Sequence, residues 1–274
     1  NVARWVPFDM DETDLTNRIG NKMIRPTTIP QSLEALIIEQ AIAREALRLS
    51  FKQHKEFAVH LKGVQTERTI SDAFEQTSSG ETLVNLMKLD MLVGSGGVLS
   101  HAPRRHQAAR MLIDAFLPEG ITQIAVDSIF MMPQLGILST IHPKAAVEVF
   151  EKDCLIRLGT CVAPVGKTKP DQAVLQYEIS LPNERIGGEL MAGELKLIPA
   201  PFEPMSIKLT PGKGLNIGAG KNEILETKIY GGIVGIILDG RGRQPFNLSM
   251  DVKQRMQNLY TWSKATCEYP QLEA

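Results

Sequence analysis

Cysteine is scarce in this chain. Cys154, Cys161 and Cys267 are three in 274 residues, odd in number and widely spaced. A disulfide framework and a four-thiolate zinc site are thereby excluded. Excess charge is missing as well: the formal net charge is -1, which leaves no electrostatic footprint for nucleic acid or an anionic membrane. No apolar run approaches the ~20 residues that span a bilayer, and no signal peptide opens the chain. His54, His60 and His142 stand apart, and no His-Glu-x-x-His run offers a metal site. These absences leave a cytoplasmic protein without nucleic-acid or membrane partners. The opening residues NVARWVPFDMDETDL carry no initiator methionine and begin on an apolar patch, as a piece of a longer protein would.

Composition is that of a globular protein, 43% hydrophobic and 22% charged, on a chain long enough for one large domain or two ordinary ones. Asp11 to Met23 reads as a helix closed by Pro26. A second helix is expected from Thr28, with Pro30 in its first turn. Leu33, Leu36, Ile37, Ala41, Leu47 and Phe51 recur along it at helical spacing. After a polar stretch, Gln65 to Glu81, a short helix over Thr82 to Leu89 precedes a strand at Asp90 to Val93. A glycine turn, a helix over Pro103 to Phe116, a strand at Ile121 to Val126 and a helix over Met132 to Thr140 follow, an α/β rhythm. From Cys154 the texture changes to short β runs, LIRLGTCVAPV, AVLQYEISL, GELKLI, MSIKLT, ILETKIY and GIVGIIL. Short strands between turn signals imply a β-sandwich or barrel, and Asp251 to Ala265 closes as an amphipathic helix. The organisation expected is therefore residues 1–153 as an α/β part and residues 154–274 as a β-rich part with a C-terminal helix.

Chemistry is concentrated in LVGSGGVLSHAPRRH. Gly94, Gly96 and Gly97 permit positive φ and close backbone approach to a ligand, while the helix that follows offers free amide hydrogens. Such a turn suits the phosphate or ribose of a nucleotide, and equally a tight turn with no ligand. No GKS or GKT follows, so it is not a Walker loop. Leu99 stands where a dinucleotide fingerprint needs its last glycine, and Val93 precludes a nucleophile elbow around Ser95. Arg104 and Arg105, beside His101 and His106, can pair with phosphate or carboxylate or stand in solvent. Asp127, after a strand, reads first as a helix cap.

The run from Met91 to Pro103 is similar to the adenosine motif of the actin, hexokinase and heat-shock-chaperone superfamily, and IAVDSIFMMPQLGILS resembles the strand and helix that come next in it. Together with GNKMIRPTTIPQ, EQAIAREALRLSF, FEKDCLIRLGTCVAPVG and GGIVGIILDGRGRQP, these stretches resemble the C-terminal part of the glutamate mutase L proteins, from Arg4 to about Tyr269. The resemblance implies a partial actin-like ATPase lobe at residues 1–153. It also implies an accessory, reactivase-like role for adenosylcobalamin-dependent carbon-skeleton mutases, with a mutase subunit as partner. In that picture Gly94, Ser95, Gly96 and Gly97 with Arg104 and Asp127 form one wall of a nucleotide site, and Arg44 and Arg48 cover the base from the opposite lobe.

The chain departs from the superfamily pattern in one respect: nothing before Leu92 reads Asp-x-Gly-x-Thr, the hairpin that holds magnesium and the outer phosphates. The resemblance thus implies ATP or ADP with magnesium only when an N-terminal half of the same protein supplies that hairpin. LNIGAGKNE carries Asn216 in place of the needed aspartate and reads as a structural hairpin. Arg241 and Arg243, in LDGRGRQ, read as a hairpin tip. No Asp-x-His-x-x-Gly run binds a corrinoid directly, and no catalytic residue or complete active site can be assembled. Two readings remain: a nucleotide-binding accessory protein, and a scaffold or interaction module in which the glycine turn is structural.

Overall fold

Two side-chain caps set the first helices. Asp11 accepts from the Asp14 amide at the head of α1, Glu12–Ile24, and Ser32 accepts from the Ala35 amide at 3.1 Å at the head of α2, Leu33–Phe57. The second helix therefore begins at Leu33 and not at Thr28. A residue before proline is pushed out of the helical region, which keeps Arg25 and Ile29 out of helix, and Ser32 is the first cap beyond Pro30. In the computed structural model, residues 1–58, 83–243 and 246–270 are described. The polar stretch Gln65 to Glu81 and the head of the helix expected from Thr82 fall outside them; the described remainder is a 3-10 turn, Leu86–Lys88.

Strand β1, Met91–Gly94, leads through the glycine turn to a single helical turn, α3, Gly97–Ser100, then to α4, Arg105–Phe116, and β2, Gly120–Asp127. Helices α5, Met132–Ser139, and α6, Pro143–Val149, follow, and a π-helical turn at Phe150–Cys154 delivers the chain into β3, Leu155–Ala163. The remaining strands are β4, Ala173–Ser180, β5, Arg185–Met191, β6, Leu195–Ile198, β7, Pro204–Pro211, β8, Leu225–Tyr230, and β9, Gly235–Asp239; α7, Val252–Ala265, comes last. β5 is a strand the apolar pattern does not announce, because Gly187 and Gly188 interrupt it.

The strands form a five-stranded sheet in the order β1-β2-β3-β9-β6 and a four-stranded sheet in the order β5-β4-β7-β8. β1 pairs parallel with β2, and β2 antiparallel with β3. The change of texture at residue 153 is thus a change from alternating strand and helix to consecutive strands, and the first sheet runs through it. One core packs Ala41, Met111, Leu112 and Trp262 from the helices on Ile124, Leu158 and Ile237. The other packs Val162, Ile236 and Leu238, on the opposite face, against Leu175, Ile207 and Ile229 of the second sheet. The chain is therefore α/β: an actin-like strand–helix–strand lobe, then a β-rich sandwich that shares its sheet.

Several polar residues settle into structural work. Asn216 accepts from the amides of Gly218 and Gly220 while Leu215 and Ile217 are buried beside it, so LNIGAGKNE is a structural hairpin. Cys154 and Cys161 are buried as small apolar side chains, and burial, helped by Asp239, pushes the Cys161 thiol up to about 12.

Candidate functional site

The four residues of the glycine turn do four different things. Gly94 is the buried end of β1; a Cβ there would stand 2.9 Å from Leu99 Cδ1 and Leu112 Cδ2, so this glycine serves packing. Ser95 directs its hydroxyl toward Asp127 Oδ2 at 3.4 Å. Gly96, at φ +107, takes a conformation L side chains rarely adopt, which turns the chain into α3. Gly97 is exposed, and a Cβ there would meet no protein atom within 4 Å.

The open side of Gly97 faces a cleft of about 760 Å³. One wall is Gly97, Val98 and His101; the other is the connecting chain from Pro26 to Ser32 with Leu36, Glu39 and Gln40 of α2. That volume is in the range of small-ligand sites. Lys22 pairs with Glu39 at 2.6 Å and donates to the Thr28 carbonyl at 2.7 Å, fixing the connecting segment against α2. Gln40 is fully buried at the back of this wall. Its Oε1 accepts from the Tyr269 hydroxyl at 2.7 Å, while its Nε2 finds no hydrogen-bond partner in the protein. A buried donor left unpaired costs about 1–3 kcal/mol. A second hollow of about 530 Å³ shares Lys22 and Glu39 but borders only α1, α2 and their connection, away from the glycine turn.

Asp127 lies beneath the turn, fully buried at the end of β2. Its carboxylate accepts from the amides of Ile129 at 3.3 Å and Met132 at 2.9 Å, and its carbonyl from the Ser100 hydroxyl. Burial opposes ionisation, but the Met132, Met131 and Ile129 amides and the Ser95 hydroxyl outweigh it and hold the carboxyl below its ordinary value. Asp127 thus caps the head of α5 and fastens the glycine turn to it; it does not line the cleft.

A family model described as MutL protein matches residues 1–154, more than half of the chain. The chain belongs to the MutL protein family, that of glutamate mutase L. No curated protein and no solved structure matches it. The part matched by the MutL description holds the whole glycine turn and both cleft walls, and it stops at the head of β3.

In this MutL chain the arginines expected at the base lie elsewhere. Arg44 points into the core, where it is ion-paired with Glu268 and stands 3.1 Å from Asp114 Oδ2. Arg48 is paired with Glu45, which also accepts from the Trp5 indole at 2.9 Å. Arg104 is exposed at the head of α4 and reaches the Cys267 carbonyl at 3.5 Å, and Arg105 donates to the Ser100 carbonyl. Of the eight residues expected in a nucleotide site, Gly97 lines the cleft, Gly94, Ser95, Gly96 and Asp127 build the turn behind it, and Arg44, Arg48 and Arg104 lie apart. The helix α4 starts at Arg105, so the single turn α3, not a long helix, follows the glycines.

Arg241 and Arg243 are not at an exposed tip; they belong to a buried ion cluster that the sequence does not announce. Arg241 bridges Asp239 at 2.8 Å and Asp114 at 2.6 Å and stacks 5.0 Å from the Trp262 ring centroid. Arg243 bonds Asp239 at 2.7 Å and the Pro118 carbonyl at 3.0 Å. Arg110 lies 3.1 Å from Asp114 and 3.7 Å from Glu268. Burial disfavours ionised Asp239, yet Arg241 and Arg243 hold its carboxyl far below the usual range. The available signals were Arg110 and Asp114 inside the apolar run AARMLIDAF, and Asp-Gly-Arg-Gly-Arg straight after an apolar strand. Among the described residues no group of three or more His, Cys, Asp or Glu could hold a metal ion. No helix among them is long and apolar enough to cross a membrane.

Proposed function

We propose that the cleft between the glycine turn and α2 takes the adenosine end of ATP or ADP, and that the chain is the adenosine-binding part of an accessory protein for adenosylcobalamin-dependent mutases. The observation that carries this reading is Gly97, exposed on the cleft with open space where a side chain would project. The residues fit the group: the Gly97 backbone leaves room for a ribose, and an acceptor on the base seated against α2 would pair the Gln40 amide. Leu36 and Val98 supply apolar faces for a flat ring. A bound nucleotide would supply a hydrolysable phosphate anhydride. The magnesium and outer phosphates are assigned to an N-terminal half of the same protein, which makes this chain alone a binder and not an ATPase. A mutase subunit is the partner and the cytoplasm the setting.

A second reading, an interaction module without nucleotide, draws on the apolar side chains exposed around α5, Ile129, Phe130, Ile137 and Ile141. Calorimetric titration with ADP, with GDP as the control base, separates the two. Saturable binding that prefers ADP supports the first; no heat with either nucleotide, in this chain and in a longer one carrying the preceding sequence, overturns it.

A further inference from the structure

The buried ion cluster does not balance. Arg44, Arg110, Arg241 and Arg243 are all at least nine-tenths buried, and the carboxylates among them are Asp114, Asp239 and Glu268. Four cations against three anions leave one positive charge in the cluster. The other buried carboxylates among the described residues are committed: Glu45 to Arg48 and Trp5, Asp127 to backbone amides. Tyr269 does not supply the missing charge, since burial and Glu268 hold its phenol neutral. An uncompensated buried charge is strongly unfavourable.

The shortfall has a location. Arg110 Nη1 is buried with no hydrogen-bond partner in the protein, and Arg44 Nε and Arg110 Nε make no hydrogen bond although they stand 3.1 Å from Asp114 Oδ2 and 3.7 Å from Glu268 Oε2. Both side chains line a small cavity of about 20 Å³ between α2, α4 and the C-terminal segment, with Trp5, Ser263 and Tyr269 on its walls. That space admits one particle of water size. Asp114 and Glu268 also reach the cavity; Asp114 Oδ2 makes no hydrogen bond but stands 3.1 Å from both Arg44 Nε and Arg110 Nη2, and Glu268 is ion-paired with Arg44.

We propose that this cavity is a binding site for one small monovalent anion of the chloride class, held by the Arg110 and Arg44 N–H groups. A single negative charge neutralises the cluster, and the small cavity suits a monatomic ion. A water molecule would accept from the same donors and leave the charge uncompensated. The site adjoins the cleft wall through Tyr269, which lines the cavity and also holds Gln40. It stands independently of any nucleotide role.

The test is thermal unfolding of the full chain, dialysed free of halide, in sodium chloride, sodium bromide and sodium gluconate at one fixed ionic strength, which removes the screening difference. Chloride and bromide are expected to raise Tm in proportion to the logarithm of their concentration, with gluconate flat. Arg110→Gln, which removes the surplus charge, is expected to abolish the difference between the salts. Crystals soaked in bromide give a readout that needs no variant: an anomalous peak between Arg44 and Arg110 is expected. Equal Tm in all three salts, or water in place of a bromide peak, overturns the proposal.

Discussion

Tyr269 donates its phenolic hydrogen to Oε1 of Gln40 across 2.7 Å, so the segment after α7 fixes an amide in the wall of the cleft. The contact joins residues far apart in sequence, and its neighbour Glu268 is ion-paired with Arg44 one helical turn along α2. Cleft and C-terminal segment therefore share one helix.

Tyr269→Phe keeps the ring and removes the donor. The Gln40 amide then loses its orientation, and ADP affinity is expected to fall roughly fivefold, the equivalent of about 1 kcal/mol for one hydrogen bond. Calorimetry on the variant measures it; unchanged affinity would detach Gln40 from ligand recognition.

Arg241 is fully buried between Asp239 and Asp114, so Arg241→Met is expected to destabilise the fold by about 3–5 kcal/mol, because two carboxylates lose a shared partner. The half-exposed pair of Lys52 and Glu56 gives the contrast: Lys52→Ala should cost under about 0.5 kcal/mol. Urea unfolding compares the two.

Acid should unfold the chain through the same cluster. The folded-state carboxyls of Asp239 and Asp114 lie below their ordinary value, because the neighbouring arginines outweigh burial. The stability they contribute is complete above about pH 4, the unfolded aspartate range, and is lost as pH falls from there toward the folded values. Tm measured from pH 7 down to 2 should hold above pH 4 and decline steeply below it.

Asp127→Ala removes the acceptor for the Ile129 and Met132 amides and releases Ser95. A loss of about 1–2 kcal/mol is expected by analogy with helix caps, with Asp127→Asn milder. Differential scanning calorimetry of both variants tests that order.

What the sequence makes legible is what its periodicities encode. The stripe of Leu33, Ile37 and Ala41 and the alternation of AVLQYEIS survive intact as α2 and β4, and the VGSGG turn sits at the end of a strand as its neighbours require. The start of α2 is less visible, because Thr28 and Ser32 are competing caps and the two prolines decide between them. β5 is hidden by its paired glycines. The ion cluster is illegible for a different reason: Arg44 and Arg48 look alike as charges on a helix, and which one is buried depends on Glu268, 224 residues away from Arg44. The cleft wall likewise turns on which side of α2 faces the glycine turn, and that side carries Leu36, Glu39 and Gln40 in place of the arginines.

The most direct test of the central claim is Gly97→Val. The protein has open space at this position, so the variant should fold with a Tm close to that of the parent, while its side chain occupies the cleft. The account predicts that ADP binding is lost, at least tenfold, with the fold retained; ADP affinity equal to that of the parent chain would contradict it.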